Sequence, residues 1–581
     1  MLDTRVAAPP SWPRVWLDAY PCDTPSLVPY PRAPVSALLE TAARRFPERP
    51  ACTLYGRALS YAQLDEQSRR FAHALSDLGA KSGGYVGMLL PNIPEYLIAL
   101  QGCWLTGATA LQLSPLMVRE EIAHWLEATD CHIVVTLDLL APAVLAALDH
   151  GPLEHVVVAS LAERLAPWWA WLYRFQNLRK NGSLRVREDT HRHRFEHLLQ
   201  TAVFACKPAI VPEDDVAALV PTGGTTASPK AVQLTHRNLV ANALQLRNYI
   251  GGEDGTESTL GVLPFFHSYG LSATLLTTWA KAGTVHLYPR FESKAVLNLL
   301  ERHRIELITA VPAMLNALNT RLRRKPRRLN FIRAVISGAS ALDPAVRAEF
   351  ESFGAPSIAE GYGLTEASPV THTSPLDERN RPGSIGLPLA DTEARILDPV
   401  DGVREMPIGE VGELVVRGPQ VMKGYFNNPA ATATVLRDGW LYTGDMARRD
   451  ADGYYTIVDR KKDILKTSGF LVFPAAVEEI LSAFPGVAEA AVVGVPDTER
   501  GELVKALVVS RDGGKLDVAG LQGYCREHLS KHKRPRQIEV VKELPKNFLG
   551  KVLRRKLRES ANGGNGNGKE SEIRNPKSET E

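Results

Sequence analysis

The sequence predicts an α/β protein with a large N-terminal domain of two α/β layered subdomains and a small β-rich subdomain, followed by a small α+β C-terminal domain. Three observations carry this prediction. Amphipathic helical patterns alternate with short β-branched runs as far as about residue 390. From Arg395 to about Asp459, short strands are separated by glycine and aspartate turns. Beyond the charged junction "DRKKD" (Asp459 to Asp463), helix and strand signals mix again. The boundaries are drawn at 1–459, 460–559 and 560–581, with the β-rich part at about 395–459.

Taken in order, "YAQLDEQSRRFAHALSDLG" repeats apolar residues at helical spacing and is followed by the strand-like "YVGMLL". "EEIAHWLEATD" precedes "HIVVTL", and "LLERHRI" precedes "ELITAV", so parallel strands joined by helices are expected. Tyr96 to Val118 carries no charge and has roughly the length of a membrane span. Its glycines, glutamines, proline and hydroxyls instead favour a buried helix, a turn at Gly107 and a strand, because those polar groups are costly in lipid. After the junction, "AAVEEILSAF" reads as a helix, "EAAVVGVP" and "KALVVS" as strands. The final "SANGGNGNGKESEIRNPKSETE" has almost no large apolar side chains and is expected to be disordered.

A chain of 581 residues allows roughly three to five folding units. Its net charge of +3 is small for that length, so no nucleic-acid partner is expected. Cys22, Cys52, Cys103, Cys131, Cys206 and Cys525 are scattered without metal-ligand spacing, which suits a reducing compartment. An early acid and several prolines interrupt the N-terminus where an export signal needs an apolar core, and a cytoplasmic location is expected. The oligomeric state is not legible.

Residues 221–232 read "PTGGTTASPKAV", a loop of small and hydroxylated residues with one cation, between the strand "VAALV" and the helical pattern "HRNLVANALQL". Exposed backbone N–H groups and Lys230 suit a polyphosphate. The spacing is not that of G-x-x-x-x-G-K-[ST], which disfavours a P-loop NTPase. A plain polar surface turn is the alternative from this stretch alone.

The loop resembles the phosphate-binding loop of the adenylate-forming enzymes, the superfamily of acyl-CoA synthetases, luciferases and peptide-synthetase adenylation domains. It departs from the usual string at Pro221, Ala227 and Ala231. Further motifs of that family follow in order: "VISGASAL", "GYGLTEASP", "YTGD", "DRKKDILKTSGFLVFPAAVEE" and "PKNFLGK". The resemblance implies phosphate contacts from Thr222, Gly223, Gly224, Thr225, Thr226 and Lys230. Gly338, Ala339, Ser340, Tyr362 and Gly363 would meet adenine, Asp445 and Arg460 the ribose. Thr365 would contact the α-phosphate, Glu366 would bind Mg2+, and Lys551 would be the catalytic lysine. Lys462, Lys466 and Gly469 would form the hinge and thiol tunnel of a mobile C-terminal domain.

The implied chemistry uses ATP, Mg2+ and coenzyme A. A carboxylate attacks the α-phosphorus with loss of pyrophosphate, and a thiol then displaces AMP from the acyl-adenylate. "PFFHSYG" falls where the family lines its acyl pocket, giving Phe265, Phe266 and Tyr269 as lining and His267 near the carboxylate. Core aromatics and a hydrogen-bonded histidine are the alternative. "DGWLYTGDMARRDADGYYTIVDRKKD" closely resembles bacterial long-chain fatty acid–CoA ligases. A medium- or long-chain fatty acid is therefore the expected substrate. Transfer to an acyl carrier protein, as in fatty acyl-AMP ligases, and activation of an aryl acid stay open. Residues 167–195, "PWWAWLYRFQNLRKNGSLRVREDTHRHRF", combine tryptophans with cations in the manner of an interfacial segment at the inner membrane face; a helix packed on its own domain is the alternative.

Overall fold

The computed structural model describes residues 15–20, 24–148, 151–181, 188–200, 208–222, 229–467, 470–497, 500–511, 516–546, 550 and 552–562. The chain divides into two compact units, Met1–Ile457 and Val458–Glu581.

The first unit is built on two large sheets and one small one. The eight-stranded sheet runs Gly424–Tyr425, Lys230–Thr235, Val216–Thr222, Thr109–Gln112, Tyr85–Leu89, Ile133–Leu137, His155–Ala159, Arg192–Arg194. Its strands are parallel from Val216–Thr222 onward, and the first two are antiparallel additions. The nine-stranded sheet is parallel at its centre, from Ala359–Gly363 through Ala334–Ser337, Leu307–Ala310, Ser258–Gly261 and Thr284–Leu287 to Pro50–Leu54. Antiparallel strands close both of its edges.

The largest core cluster takes residues from both sheets, among them Val86 and Val135 of one and Cys52 and Val285 of the other. Leu97, Trp104, Phe71 and Trp279 join them there. The helix Pro94–Leu105 is buried along its whole length, which is why it carries so little charge. Its Trp104 indole donates to the Ala217 carbonyl at 2.8 Å, and Glu95 meets Arg164 at 2.6 Å. Gly107 turns the chain at φ 80° into the strand Thr109–Gln112. Among the described residues no helix is long and apolar enough to cross a membrane. The small sheet comprises Glu393–Leu397, Gly412–Arg417, Trp440–Arg449 and Leu436–Arg437, with Tyr455–Arg460 paired to Trp440–Arg449.

The loop at 221–232 was expected to join a strand directly to a helix. Instead its described ends form a hairpin: Val216–Thr222 pairs antiparallel with Lys230–Thr235, and Thr222 stands opposite Lys230. The short "KAVQLT" is an added strand, and only then does Thr235 cap the helix His236–Ile250 through a box with Asn238.

The second unit holds a five-stranded sheet in the order Phe470–Val472, Leu465–Thr467, Gly501–Ser510, Val487–Asp497, with Gln537–Val541 parallel to Gly501–Ser510. Val477, Leu481, Val492, Val504, Leu521 and Cys525 form its core under the helices Pro474–Ala483 and Val518–His528. Arg554 ties this unit together by meeting Glu478 at 2.6 Å, Asp463 at 3.3 Å and Asp459 at 3.7 Å. Cys52, Cys103, Cys131 and Cys525 are buried free thiols. Cys22, Cys206 and the tail from 563 onward lie outside the described residues.

Candidate active site

In the first unit, strand ends and tight turns bring together residues far apart in sequence. Tyr362 lies on the strand Ala359–Gly363 at one side of the nine-stranded sheet, and its hydroxyl donates to Asp445 Oδ2 at 2.6 Å. Asp445 is held by its own turn. Gly444 takes φ 71°, its N–H donates to Glu413 Oε1 at 3.2 Å, and Thr443 Oγ1 donates to the Leu414 carbonyl at 2.7 Å. The register with Gly412–Arg417 shifts there, so this is a bulge that aims the carboxylate out of the ladder.

After Gly363 the chain makes a tight turn through Thr365 and Glu366. A Cβ at position 363 would stand 1.9 Å from the Pro369 carbonyl oxygen, so only glycine admits that approach. Thr365 Oγ1 lies 3.2 Å from Ser268 Oγ. Glu366 is half-buried; its Oε1 accepts from the Tyr425 hydroxyl at 2.8 Å, and its carbonyl accepts from Met422 N at 2.8 Å. Lys230 Nζ sits 4.9 Å above the same tyrosine ring. Burial, then the Glu366 charge, push the Tyr425 hydroxyl far above its ordinary range, so it is a permanent donor to that carboxylate.

His267 and Tyr269 come from the other side. Tyr269 opens a π-helical turn, Tyr269–Leu276, a geometry frequent at functional sites. Its hydroxyl donates to the Ile336 carbonyl at 3.0 Å, and a Cβ at Gly338 would press on its ring at 3.1 Å. The Tyr269 N–H donates to His267 Nδ1 at 3.3 Å, and burial lowers the His267 imidazole to about 4. Gly338 is buried, whereas Ala339, at φ 71°, and Ser340 are exposed. A cavity of about 60 Å³ lies between these groups. Its polar edge carries His267, Tyr362 and Thr365; its walls are Leu246, Ile250, Ala273 and Ile336.

The structure therefore brings Gly338, Ala339, Tyr362, Gly363, Thr365, His267 and Tyr269 around one cavity, with Asp445 bonded to Tyr362 and Glu366 next in sequence to Thr365. Phe265 and Phe266, expected to line the acyl pocket, are not in its wall. Phe265 is fixed in the core: its N–H donates to Asn92 Oδ1 at 3.0 Å, its carbonyl accepts from Tyr96 at 3.0 Å, and the two rings lie 5.7 Å apart. Thr222 Oγ1 donates to the Lys230 carbonyl at 3.1 Å, so the ends of the glycine-rich loop are closed together. Gly223, Gly224, Thr225 and Thr226 lie outside the described residues.

Two contributors were not singled out from the sequence. Tyr425 is one; it belongs to a two-residue edge strand with no periodic signal. His372 is the other. It is buried, burial lowers it to about 3, and its ring stands edge-on to Tyr362 at 6.0 Å and to Tyr455 at 4.8 Å.

In the second unit, Arg460 is half-buried and Lys462 and Lys466 are exposed. The Lys462 carbonyl accepts from Arg558 at 3.4 Å, and the Lys466 N–H donates to Glu502 Oε2 at 2.8 Å. Gly469 and Lys551 lie outside the described residues, although a bridge between Lys546 and Val552 brackets the latter. This unit also has a cavity of about 250 Å³ lined by Thr467, Phe470, Arg500, Lys531, His532, Arg534 and Arg536. Phe470 and His532 stack with centroids 4.7 Å apart. Cations beside an aromatic pair suit a phosphorylated nucleotide.

Magnesium bound with a nucleotide keeps several waters and needs only one or two protein carboxylates. The single carboxylate of Glu366, oriented by Tyr425 and next in sequence to Thr365, fits that donor set. Among the described residues no cluster of three or more ligating side chains forms a metal cage.

Comparison with known proteins finds relatives along most of the chain. The family model described as AMP-binding enzyme matches residues 39–426, and that of the AMP-binding enzyme C-terminal domain matches residues 476–551. The chain is 36% identical over 547 residues to a long-chain-fatty-acid–CoA ligase of Bacillus subtilis strain 168, covering 94% of this chain and 97% of that protein. It is 34% identical to a feruloyl-CoA synthase of an Amycolatopsis species, over 89% of this chain and 96% of that one. Among solved structures, ATP-bound MatB from Rhodopseudomonas palustris superposes with a TM-score of 0.79 at 28% identity, covering 91% of this chain and 99% of the other.

Proposed function

The chain belongs to the AMP-binding enzyme family, and from that premise we propose that it is an acid–thiol ligase for medium- to long-chain fatty acids, forming acyl-CoA through an acyl-adenylate. Enzymes of this family use ATP with Mg2+ and take CoA as a substrate. The observation that carries the reading is that Thr365 and Tyr362, the latter bonded to Asp445, stand at the polar edge of a cavity walled by aliphatic side chains.

In the proposed first step the fatty carboxylate attacks the α-phosphorus and pyrophosphate leaves. Thr365 steadies an α-phosphate oxygen, Asp445 accepts from the ribose hydroxyls, and the Tyr362 ring faces adenine. Thr222 to Lys230 hold the leaving phosphates, and Lys551 supplies positive charge where oxygen charge builds. Glu366 would hold the magnesium, which when bound would neutralise charge on the phosphates. Neutral His267 presents a polar edge without a charge of its own, so the acid's hydrocarbon enters an uncharged site. In the second step a thiol attacks the acyl carbonyl and AMP departs, with Lys462, Lys466 and Gly469 serving the hinge and thiol path. The basic cavity around Arg534 supports CoA, rather than a carrier protein, as that thiol.

Acids of increasing length, incubated with ATP, Mg2+ and CoA and followed for AMP and thioester by mass spectrometry, test the reading, with Lys551→Ala as control. AMP and acyl-CoA rising together for long acids and vanishing in the variant is the expected result. ADP as nucleotide product would overturn it, and acyl-AMP without thioester would move the acceptor to a carrier protein. Likeness to the Amycolatopsis feruloyl-CoA synthase makes ferulate the aryl acid to include.

A further inference from the structure

The helix Pro167–Asn181 carries its apolar face outward. At about 100° per residue, Ala170, Tyr173 and Arg174 share one side. That side is the anchored one. Ala170 is buried, the Tyr173 hydroxyl donates to Asp138, and Arg174 meets Glu163 at 2.9 Å. Asp138 is itself held by Ser160 at 2.6 Å, and Arg57 binds the Glu163 carbonyl at 3.0 Å just before the helix. The opposite side presents Trp168, Trp171 and Phe175, with Trp169 on its flank. Trp168 is 61% exposed, Trp171 66%, Trp169 48% and Phe175 39%. The rings pair along the helix: Trp168 on Trp169 at 3.8 Å, and Trp171 on Phe175 at 5.7 Å.

The sequence of this segment is cationic, although Arg164 and Arg174 are paired with Glu95 and Glu163. Between residues 164 and 187 the sequence has six cations, Arg164, Arg174, Arg179, Lys180, Arg185 and Arg187, and no carboxylate. Exposed tryptophans in a cationic stretch of sequence match an anionic lipid surface, where indoles lie at headgroup depth and each cation adds attraction.

We propose that the outer face of Pro167–Asn181 docks the protein on an anionic bilayer surface, with Trp168, Trp171 and Phe175 entering the interface. The docking does not depend on the ligase chemistry; only its use, taking membrane-dissolved acids, rests on that reading.

The test uses the full chain and vesicles of phosphatidylcholine, with or without about a third of phosphatidylglycerol. Co-sedimentation is expected to be at least about tenfold stronger on the anionic vesicles and to fall with added salt. Replacing Trp168, Trp171 and Phe175 together by serine is expected to abolish it. Because these rings are exposed, melting temperature and turnover of a water-soluble short acid should be unchanged, which separates lost docking from lost folding. Brominated lipid should quench tryptophan emission in the parent and less in the triple variant. Vesicle binding that is absent, or equal in parent and variant, overturns the proposal. So does a lipid-free dimer that the triple variant converts to monomer, which would give the face to self-association.

Discussion

The Tyr425 hydroxyl donates to Glu366 Oε1 at 2.8 Å while Lys230 Nζ lies 4.9 Å over the same ring, so one tyrosine links the far end of the glycine-rich hairpin to the carboxylate. Removing the hydroxyl in Tyr425→Phe leaves Glu366 without that donor and free to turn. A bond to a charged group is worth about 1.5–3 kcal/mol, so adenylation is expected to slow by about ten- to a hundredfold. The loss should shrink as Mg2+ is raised, because the variant misorients the carboxylate without deleting it. Pyrophosphate exchange measured across a Mg2+ titration reads this; rates equal to the parent at low Mg2+ would remove Tyr425 from the site.

The 2.6 Å bond from Tyr362 to Asp445 fixes together two groups proposed to meet the nucleotide. Asp445→Asn keeps an acceptor for Tyr362 but removes the charge that strengthens bonds to ribose hydroxyls. KM for ATP is expected to rise about tenfold or more with kcat changed less. Tyr362→Phe should raise it by a smaller factor, since the ring remains. Steady-state kinetics with ATP varied at saturating acid would show the order, and a reversed order would mean that the pair is only structural.

The groups legible in the sequence were those packed into one continuous string. Tyr362, Gly363, Thr365 and Glu366 fall within one short turn, and Asp445 sits in a glycine bulge at the "TGD" to which the family resemblance pointed. The partnership of Tyr425 with Glu366 was not legible, because it joins positions 59 apart through a two-residue edge strand. Lys230–Thr235 was hidden for a similar reason: six residues leading into a strong helix signal offer little alternation of their own. Phe265 shows the converse limit. Its place beside His267 suggested a pocket, yet whether a ring faces cavity or core depends on Asn92 and Tyr96, which bind its backbone.

Protonation should destabilise the fold between neutral and mildly acid pH. Val35 N–H donates to His236 Nδ1 at 3.2 Å, so that ring must be neutral, and burial lowers it to about 4. His267 and His372 are lowered to about 4 and about 3 for the same reason. The unfolded chain binds these protons near pH 6.5 while the folded chain refuses them, so stability is complete above about 6.5 and is lost as pH falls towards 4. At pH 5, His236 alone accounts for about 2 kcal/mol. Melting temperature should fall steadily from pH 7 to 5, and a flat profile would contradict neutral burial of these rings.

Ala273 sits where acid length is expected to be decided. It is shared by the walls of the 60 Å³ cavity and of a smaller one, about 10 Å³, that reaches Thr259, Thr278 and Lys281. Ile250, Thr309 and Ile336 are shared as well. The first cavity has the volume of about two waters, so a long chain must open the passage past Ala273. Ala273→Phe would fill that passage. Turnover of palmitate is expected to fall by at least about tenfold while that of hexanoate changes little. Equal losses on both acids would place the acyl chain elsewhere.

The basic cavity of the second unit makes a prediction about the thiol alone. Arg534 is set by its bonds to the Leu529 and Arg526 carbonyls at 2.8 and 2.9 Å, while Lys531 and Arg536 are exposed beside the Phe470–His532 stack. Fixed cations around an aromatic pair attract phosphates and a base; a bare thiol offers neither. Replacing Lys531 and Arg536 by serine is expected to raise KM for CoA about tenfold or more and to weaken its salt dependence. Pyrophosphate exchange, which needs no thiol, should stay within about twofold of the parent. Pantetheine, which has the thiol but no nucleotide, should be used equally by parent and variant. An equal loss with both thiols would mean that these cations act on the thiol path or on folding, and CoA's nucleotide would have to bind at another surface.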